Sequence, residues 1–340
     1  MIFSVDAWDP EYGTGGDVES LDASTDEVAA DVEVALGSWA PIQPEQTHFE
    51  GVVYFVDGVR RIDARIWVTD EGRVLPGTAA TVAAGSVRCS SDSADLHQVA
   101  VRRAFFTPPT PGATSIVTEF GEFEHVPIKT GSPEDLYLGI HEQMTDLETQ
   151  IVPEASGSDL VVFDGPLRGR KGENTVGLIK TQHVQYLEAD EQLVVTSLEP
   201  GQRSPLFTIG SGRFARYSWY QRLPGPRTHG WAGIVRCEAP TAPKVTAVTA
   251  PKVTAVTAPK ATAVTAPKAT AVTAPKATAA TAVMLADRVT AALPRYASEP
   301  HKEHRAPQNL YPIKGLEGAL RRRLGDQRLL QRALRKASVN

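Results

Sequence analysis

From Gly51 onward the pattern of the chain is that of strands. Val52-Val53-Tyr54-Phe55-Val56 is an unbroken apolar run ending in Asp57-Gly58, and Leu160-Val161-Val162-Phe163 ends in the same pair, Asp164-Gly165. Each run predicts a short, fully buried strand that terminates in an acid and a glycine. Ile62, Ala64, Ile66 and Val68 alternate with Asp63, Arg65 and Trp67, which predicts a half-exposed partner strand reached through a tight turn at Asp57-Gly58. Thr78–Val87 is a third candidate strand, and Thr175–Lys180 and Leu193–Leu198 are further ones. The period becomes helical over 132–152. Ser132-Pro133-Glu134-Asp135 reads as a helix start, and Leu136, Ile140, Met144, Leu147 and Ile151 follow three or four residues apart.

The ends of the chain are different in kind. Residues 1–45 are acidic and punctuated by glycine and proline. Within them Thr25-Asp26-Glu27 followed by Val28, Val32, Val34 and Leu36 predicts one amphipathic helix. Ala-Pro-Lys recurs at Ala242, Ala250, Ala258, Ala266 and Ala274, a period of eight residues. A proline in every unit forbids a continuous helix, and the unit has no large apolar residue from which to build a core. Residues 240–281 therefore read as a linker between a core at 46–239 and a helical part at 282–340. There, Val283–Leu293 stops at Pro294, while Leu316, Leu320 and Leu324 form a stripe beside Arg321, Arg322 and Arg323. Gly325-Asp326 ends that helix and caps another through Leu329, Leu330 and Leu334.

Composition narrows the class. In 340 residues the hydrophobic share is 41% and the charged share 22%, as in ordinary soluble proteins. No run approaches the roughly 18 apolar residues of a membrane span, and the acidic N-terminus is unlike a secretory signal. Cys89 and Cys237 stand alone without a C-x-x-C pair, which argues for a reducing cytoplasm and against a structural zinc. The net charge of −5 hides a gradient. No Lys or Arg precedes Arg60, whereas cations outnumber acids from His301 to the end. Such asymmetry marks either a nucleic-acid surface or a solvated helix face.

Asp57 and Asp164 are the candidate chemistry. If their strands are neighbours, the two carboxylates can share a divalent metal; the plain alternative is a pair of Asp-Gly turns. A strand, its hairpin partner, a third strand, a helix and a further strand ending in an acid fit a ribonuclease-H-like order. This predicts an α/β fold with a mixed sheet, flanking helices and a basic C-terminal helical segment. Carboxylates in that order suit Mn²⁺ or Mg²⁺, which activate water and stabilise the departing phosphate-ester oxygen. Glu148, on the helix before the second strand, is the first choice for a third ligand or general base, ahead of Glu142. Arg60, Arg61 and Arg65 follow the first acid, and Arg168, Arg170, Lys171 and Lys180 follow the second. They read either as phosphate contacts or as simple charge balance.

Other motifs fail. Phe163-Asp164-Gly165-Pro166-Leu167 is like the haloacid-dehalogenase-type phosphatases, but Val162 stands where their nucleophilic Asp belongs. Gly210-Ser211-Gly212-Arg213-Phe214-Ala215 mimics a dinucleotide fingerprint, yet the strand-like Tyr217-Ser218-Trp219-Tyr220 follows where a helix is needed. There is no Walker A motif. His301 and His304 lie in a polar loop without metal-ligand company.

The set Phe55-Val56-Asp57-Gly58, Leu160 to Leu167, Gly177-Leu178-Ile179-Lys180, Ser218-Trp219-Tyr220 and Arg305 to Ile313 resembles the NurA family of DNA-end-processing nucleases, over residues 50–325 with the repeat omitted. The resemblance implies a ribonuclease-H-like fold, Mn²⁺-dependent exo- and endonuclease activity on DNA, a homodimer, and a HerA-type hexameric ATPase as partner in double-strand-break repair. It matches Asp57 and Asp164 to the strand-borne metal-binding acids and Glu148 to the helical glutamate. The family places a histidine soon after its Tyr-Pro segment, whereas Tyr311-Pro312 is followed here by none. Asn309, Gln308 and Glu317 are the candidate substitutes. The expectation is a metal-dependent deoxyribonuclease with Asp57, Glu148, Asp164 and Lys180 at its centre, and Arg60, Arg61, Arg168, Arg170 and Lys171 on the nucleic acid. Trp219 and Tyr220 are candidates for base stacking or for the core. The competing expectations are a non-catalytic DNA-binding or scaffold subunit of a DNA translocase with a degenerate site, and a phosphoesterase of small nucleotides.

Overall fold

A computed structural model describes residues 22–23, 26–45, 48–167, 170, 172, 174–182, 184–210, 215–241 and 279–338. The repeat at 242–278, Arg168 and Lys171 lie outside the described residues. In chain order the strands are β1 (Asp22–Ala23), β2 (Val28–Ala29), β3 (Val53–Asp70), β4 (Arg73–Cys89), β5 (Ala94–Thr107), β6 (Ile116–Thr118) and β7 (Gly121–Pro127). Helix α1 (Pro133–Gln150) precedes β8 (Leu160–Asp164), β9 (Thr175–Ile179) and β10 (Val184–Gln185). Helix α2 (Ala189–Ser197) precedes β11 (Phe207–Ile209), β12 (Arg216–Arg222) and β13 (Ile234–Pro240). The chain closes with α3 (Ala279–Ala292), α4 (Tyr311–Arg323) and α5 (Gln327–Ala337).

Eleven of these strands form one mixed sheet in the order β2-β11-β12-β13-β9-β8-β3-β4-β5-β7-β6, and β1 pairs with β10 apart from it. At its centre β3, β8 and β9 are parallel neighbours, while β4 runs antiparallel between β3 and β5. The unbroken apolar runs exist because both faces of this centre are covered. On one face Tyr54, Val56, Val161 and Phe163 pack with Ile140, Met144 and Leu147 of α1. On the other, Val53, Phe55, Leu160 and Val162 pack with Leu285 and Val289 of α3 and with Ile313, Leu316 and Leu320 of α4. Helix α5 lays Leu330 and Leu334 on Phe105 and Phe123. No helix among the described residues is long and apolar enough to cross a membrane.

Helix α1 begins where Ser132 predicts it: the Asp135 N–H donates to Ser132 Oγ at 3.1 Å, with Pro133 in the first turn. Three expectations are corrected. Asp57-Gly58 is not a turn, because β3 runs straight through it to Asp70. The hairpin closes instead at Glu71 and Gly72, both with positive φ (+48° and +76°), the backbone of a tight two-residue hairpin loop. Residues 189–197 are helical rather than extended: acids in the first turn, Asp190 and Glu191, start a helix that the β-branched Val194-Val195 pair had obscured. The stretch after Asp26 is not a helix. Val28-Ala29 is a strand on the edge of β11, and Leu36–Ser38 is one 3-10 turn. Val28, Val32, Val34 and Leu36 are separated by even numbers of residues, so they fit an extended chain as well as a helix.

Candidate active site

Strand pairing positions the acids. The parallel register runs from Val53 opposite Leu160 to Val56 opposite Phe163. One residue further it sets Asp57 beside Asp164. Asp57 follows Phe55, Asp164 follows Val162 and Lys180 follows Leu178 at the two-residue spacing of one sheet face. Lys180 Nζ donates to Asp164 Oδ2 at 2.7 Å and to Asn309 Oδ1 at 3.0 Å. Lys180 and Asn309 are both buried.

Gly58 explains how Glu148 joins. A β-carbon at Gly58 would strike the Glu148 carboxylate and stand 2.8 Å from Met144 Cγ, so the bare backbone admits α1 against β3 beside Asp57. The second Asp-Gly pair is different. Gly165 has φ +98° and turns the chain out of β8.

The electrostatics follow from this crowding. Burial, then the Asp164 and Glu148 carboxylates, push the Asp57 carboxyl well above its ordinary range, against the pull of Lys180 and of the Gly58 N–H that donates to Asp57 Oδ1 at 2.8 Å. Glu148 is ion-paired with Arg170, whose guanidinium lies 4.5 Å over the Phe163 ring. These groups line a cleft of about 490 Å³, together with Arg60, Arg236, Tyr137, His141 and Tyr186. Arg60 is held at its rim by the Tyr137 hydroxyl, by the face of that ring at 4.6 Å, and by His141 Nδ1 at 3.5 Å.

Residues that the sequence suggested fall into different places. Asp57, Glu148, Asp164, Lys180, Arg60 and Arg170 share the cleft. Arg61 does not: it pairs with Asp63 at 2.8 Å and donates to the Leu324 and Gly325 carbonyls at the end of α4. Trp219 and Tyr220 are buried and cannot stack on a base without unfolding the core. Of the three candidate substitutes for histidine, Asn309 reaches the site through Lys180. Gln308 donates to the Lys180 and Ile234 carbonyls, at 3.2 and 3.0 Å. Glu317 is engaged by Arg305 and Arg321.

Besides Tyr137, His141 and Tyr186, a buried charge pair of the site escaped the sequence reading. Arg236 lines the cleft and lies 4.6 Å over Tyr186. It is held by Glu238, which accepts from Arg236 at 2.7 Å, from Arg216 at 2.8 Å and from the Leu167 N–H at 3.2 Å. Burial would raise the Glu238 carboxyl, but Arg236, Arg216 and the Leu167 N–H outweigh it and hold the group below its ordinary range. The signal was present: Arg236 and Glu238 are two charges inside the otherwise apolar Ile234–Ala239 strand.

Asp57 and Asp164 form an oxygen pair with surplus negative potential, which suits a hard divalent cation. Among the described residues no three His, Cys, Asp or Glu side chains are grouped as a ready ligand set. Glu148 is ion-paired with Arg170.

Fold and cleft together define a mixed α/β protein with an acid pair set among cations. No protein-family model matches the chain, and no curated protein matches it. Among solved structures it is similar to the NurA nuclease from Sulfolobus solfataricus, at 10% sequence identity and a TM-score of 0.44, over 88% of each chain.

Proposed function

We propose that this chain is a metal-dependent nuclease with a ribonuclease-H-like core, acting on DNA ends as the sequence resemblance to the NurA family implies. One observation carries the reading: Asp57 and Asp164 stand at adjacent positions on parallel strands, beside Lys180, in a cleft whose lining also includes Arg60, Arg170 and Arg236. The central strand order β5-β4-β3-β8-β9, with only β4 reversed, supports the ribonuclease-H-like assignment.

Asp57 and Asp164 would hold a Mn²⁺ or Mg²⁺ ion, with Glu148 joining them on release from Arg170. When bound, the ion supplies Lewis acidity toward water and the phosphate ester. The chain's own residues do the rest. Lys180 fixes the Asp164 carboxylate and brings positive charge to the scissile phosphate. Arg60, braced by Tyr137 and His141, holds a neighbouring phosphate at the rim, and Arg236 stands ready for another. A homodimer and a HerA-type ATPase partner belong to the same reading.

The alternative, a non-catalytic DNA-binding subunit, is favoured by the pairing of Asp164 with Lys180 and of Glu148 with Arg170. One experiment separates the two. Mn²⁺-dependent cleavage of end-labelled linear DNA is compared for wild type, Asp57→Ala and Asp164→Ala, with DNA binding recorded in the same samples. Cleavage by wild type that both variants lose, with binding kept, is expected. Binding without cleavage by wild type, with and without a HerA-type ATPase, would replace the nuclease reading with the scaffold.

A further inference from the structure

Outside the cleft, a cluster of exposed cations lies at the corner where α4 meets α5. Arg322 and Arg323 end α4, and Arg328, Arg332, Arg335 and Lys336 run along α5; all are exposed. The α5 cations recur at steps of three, four and eight residues, so they form one stripe, opposite the Leu330 and Leu334 side chains that face the protein. At 1.5 Å per residue the stripe from Arg328 to Lys336 is about 12 Å long.

Nearby acids do not balance it. Glu317 is taken by Arg305 and Arg321. Asp326 caps α5, accepting from the Leu329 N–H at 3.0 Å. Glu122 and Glu124 flank the buried Phe123 and so project from the other side of β7. Two further cations lie underneath. Arg61 donates to the Leu324 and Gly325 carbonyls, and Arg103 lies by Gly325 with a buried Nε that has no hydrogen-bond partner.

Helix dipoles account for only part of this. Arg322, Arg323, Arg335 and Lys336 sit at helix C-termini, where cations are favourable; Arg328 sits in the first turn of α5, where a cation is unfavourable. We infer that the α4–α5 corner is a second nucleic-acid contact, gripping a phosphate backbone away from the cleft. The adjoining residues Arg60 and Arg61 alternate across β3, one at the cleft and the other under this corner. Charge complementarity selects the occupant. An anionic membrane is the poorer fit, because a membrane-surface helix buries its apolar face in lipid and α5 has already buried Leu330 and Leu334 against Phe105 and Phe123.

The test uses the full chain without divalent metal, so that cleavage does not intervene. Affinity for duplex DNA several helical turns long is measured by fluorescence anisotropy between about 50 and 200 mM salt. The triple variant Arg328→Gln, Arg332→Gln, Arg335→Gln keeps helix-forming residues at exposed positions, and its melting temperature checks the fold. The salt slope should fall by about three and the affinity by roughly tenfold or more. With Mn²⁺, cleavage of a short oligonucleotide that fills only the cleft should be unchanged in the triple variant. An unaltered slope and affinity in a folded triple variant overturns the inference, as does binding of phosphatidylserine vesicles without binding of duplex. If wild type cuts nothing while the triple variant still loses duplex affinity, the second contact stands and the nuclease reading falls.

Discussion

Replacing Gly58 by alanine isolates the approach of α1 to the acid pair. A β-carbon at this position would stand 2.8 Å from Met144 Cγ and 3.0 Å from Glu148 Cδ, and closer still to Glu148 Oε1. Carbon contacts are comfortable only at about 3.5–4.0 Å, so both side chains must move. The backbone itself raises no objection, because Gly58 is not among the residues of positive φ. Taken alone, Gly→Ala at a compatible site stabilises by about 0.4–1 kcal/mol through the unfolded chain. Overpacking a filled site costs about 1–3 kcal/mol, and here it also drives the Glu148 carboxylate from its Arg170 partner. The second effect is the larger, leaving a net loss of about 1–2 kcal/mol. Urea unfolding should show a lower midpoint with an unchanged slope. Gly37→Ala, in an exposed 3-10 turn with nothing within 4 Å, is the control and should stay within about 0.5 kcal/mol of wild type. On the nuclease function proposed above, Mn²⁺-dependent cleavage by Gly58→Ala should fall with DNA binding kept. A Gly58→Ala protein as stable and as active as wild type would refute the placement of Glu148 over this glycine.

Asp57 releases its proton near 3.8 in the unfolded chain but only at higher pH in the folded protein. Between those values the folded state holds the extra proton, so stability falls as pH rises. Without divalent metal, Asp57→Asn should melt higher than wild type at neutral pH, and the difference should close below pH 3.8. Glu238 has the opposite sign. Its carboxyl is held below the ordinary 4.5, so its contribution is present above that value and lost as pH falls through the depressed one. Glu238→Gln takes the carboxylate from Arg236 and leaves Arg216 with Asp26 at 3.6 Å, and should cost about 3 kcal/mol at neutral pH, read as a lower urea midpoint, with less further loss in acid. Glu71 holds φ +48° in the hairpin loop. Glu71→Asn gives the Asn-Gly pair that such loops prefer and should add about 0.5–1 kcal/mol in thermal unfolding.

What was legible in the sequence is what local pattern determines. The runs at Val52–Val56 and Leu160–Phe163 announced buried strands because both faces are covered, and Ser132-Pro133 announced α1 through its own cap. Asp57-Gly58 was misread because a glycine serves a turn and a close approach equally well, and only α1 decides between them. Strand alternation alone separates Arg60 from Arg61, since neighbours on a strand point to opposite faces. Asn309 is a different case. It touches Lys180 across 129 residues of sequence, and no local periodicity carries a contact of that range. No histidine follows Tyr311-Pro312; the side-chain oxygen of Asn309 accepts from the lysine, and its Nδ2 donates to Glu303 at 3.4 Å. Burial would raise Glu303, but the Arg305 N–H, Lys314 and Arg305 outweigh it and bring the carboxyl to about 2.

That distant contact has a consequence for biosynthesis. The sheet face formed by Val53, Phe55, Leu160 and Val162 is covered by α3 and α4, and the lysine at the centre of the site is held by a residue just before α4. Helices α3 and α4 and Asn309 are all made after residue 241. At about 5–20 residues per second the ribosome needs roughly 5–20 s to pass from β13 to the end of α5. For that interval the strands and both aspartates are already synthesised, while the apolar face above them has no cover and Lys180 has no Asn309. The nascent chain is then at its most exposed to aggregation and to chaperones. The cleft is completed only once Asn309 and α4 have been synthesised, 129 residues and more after Lys180.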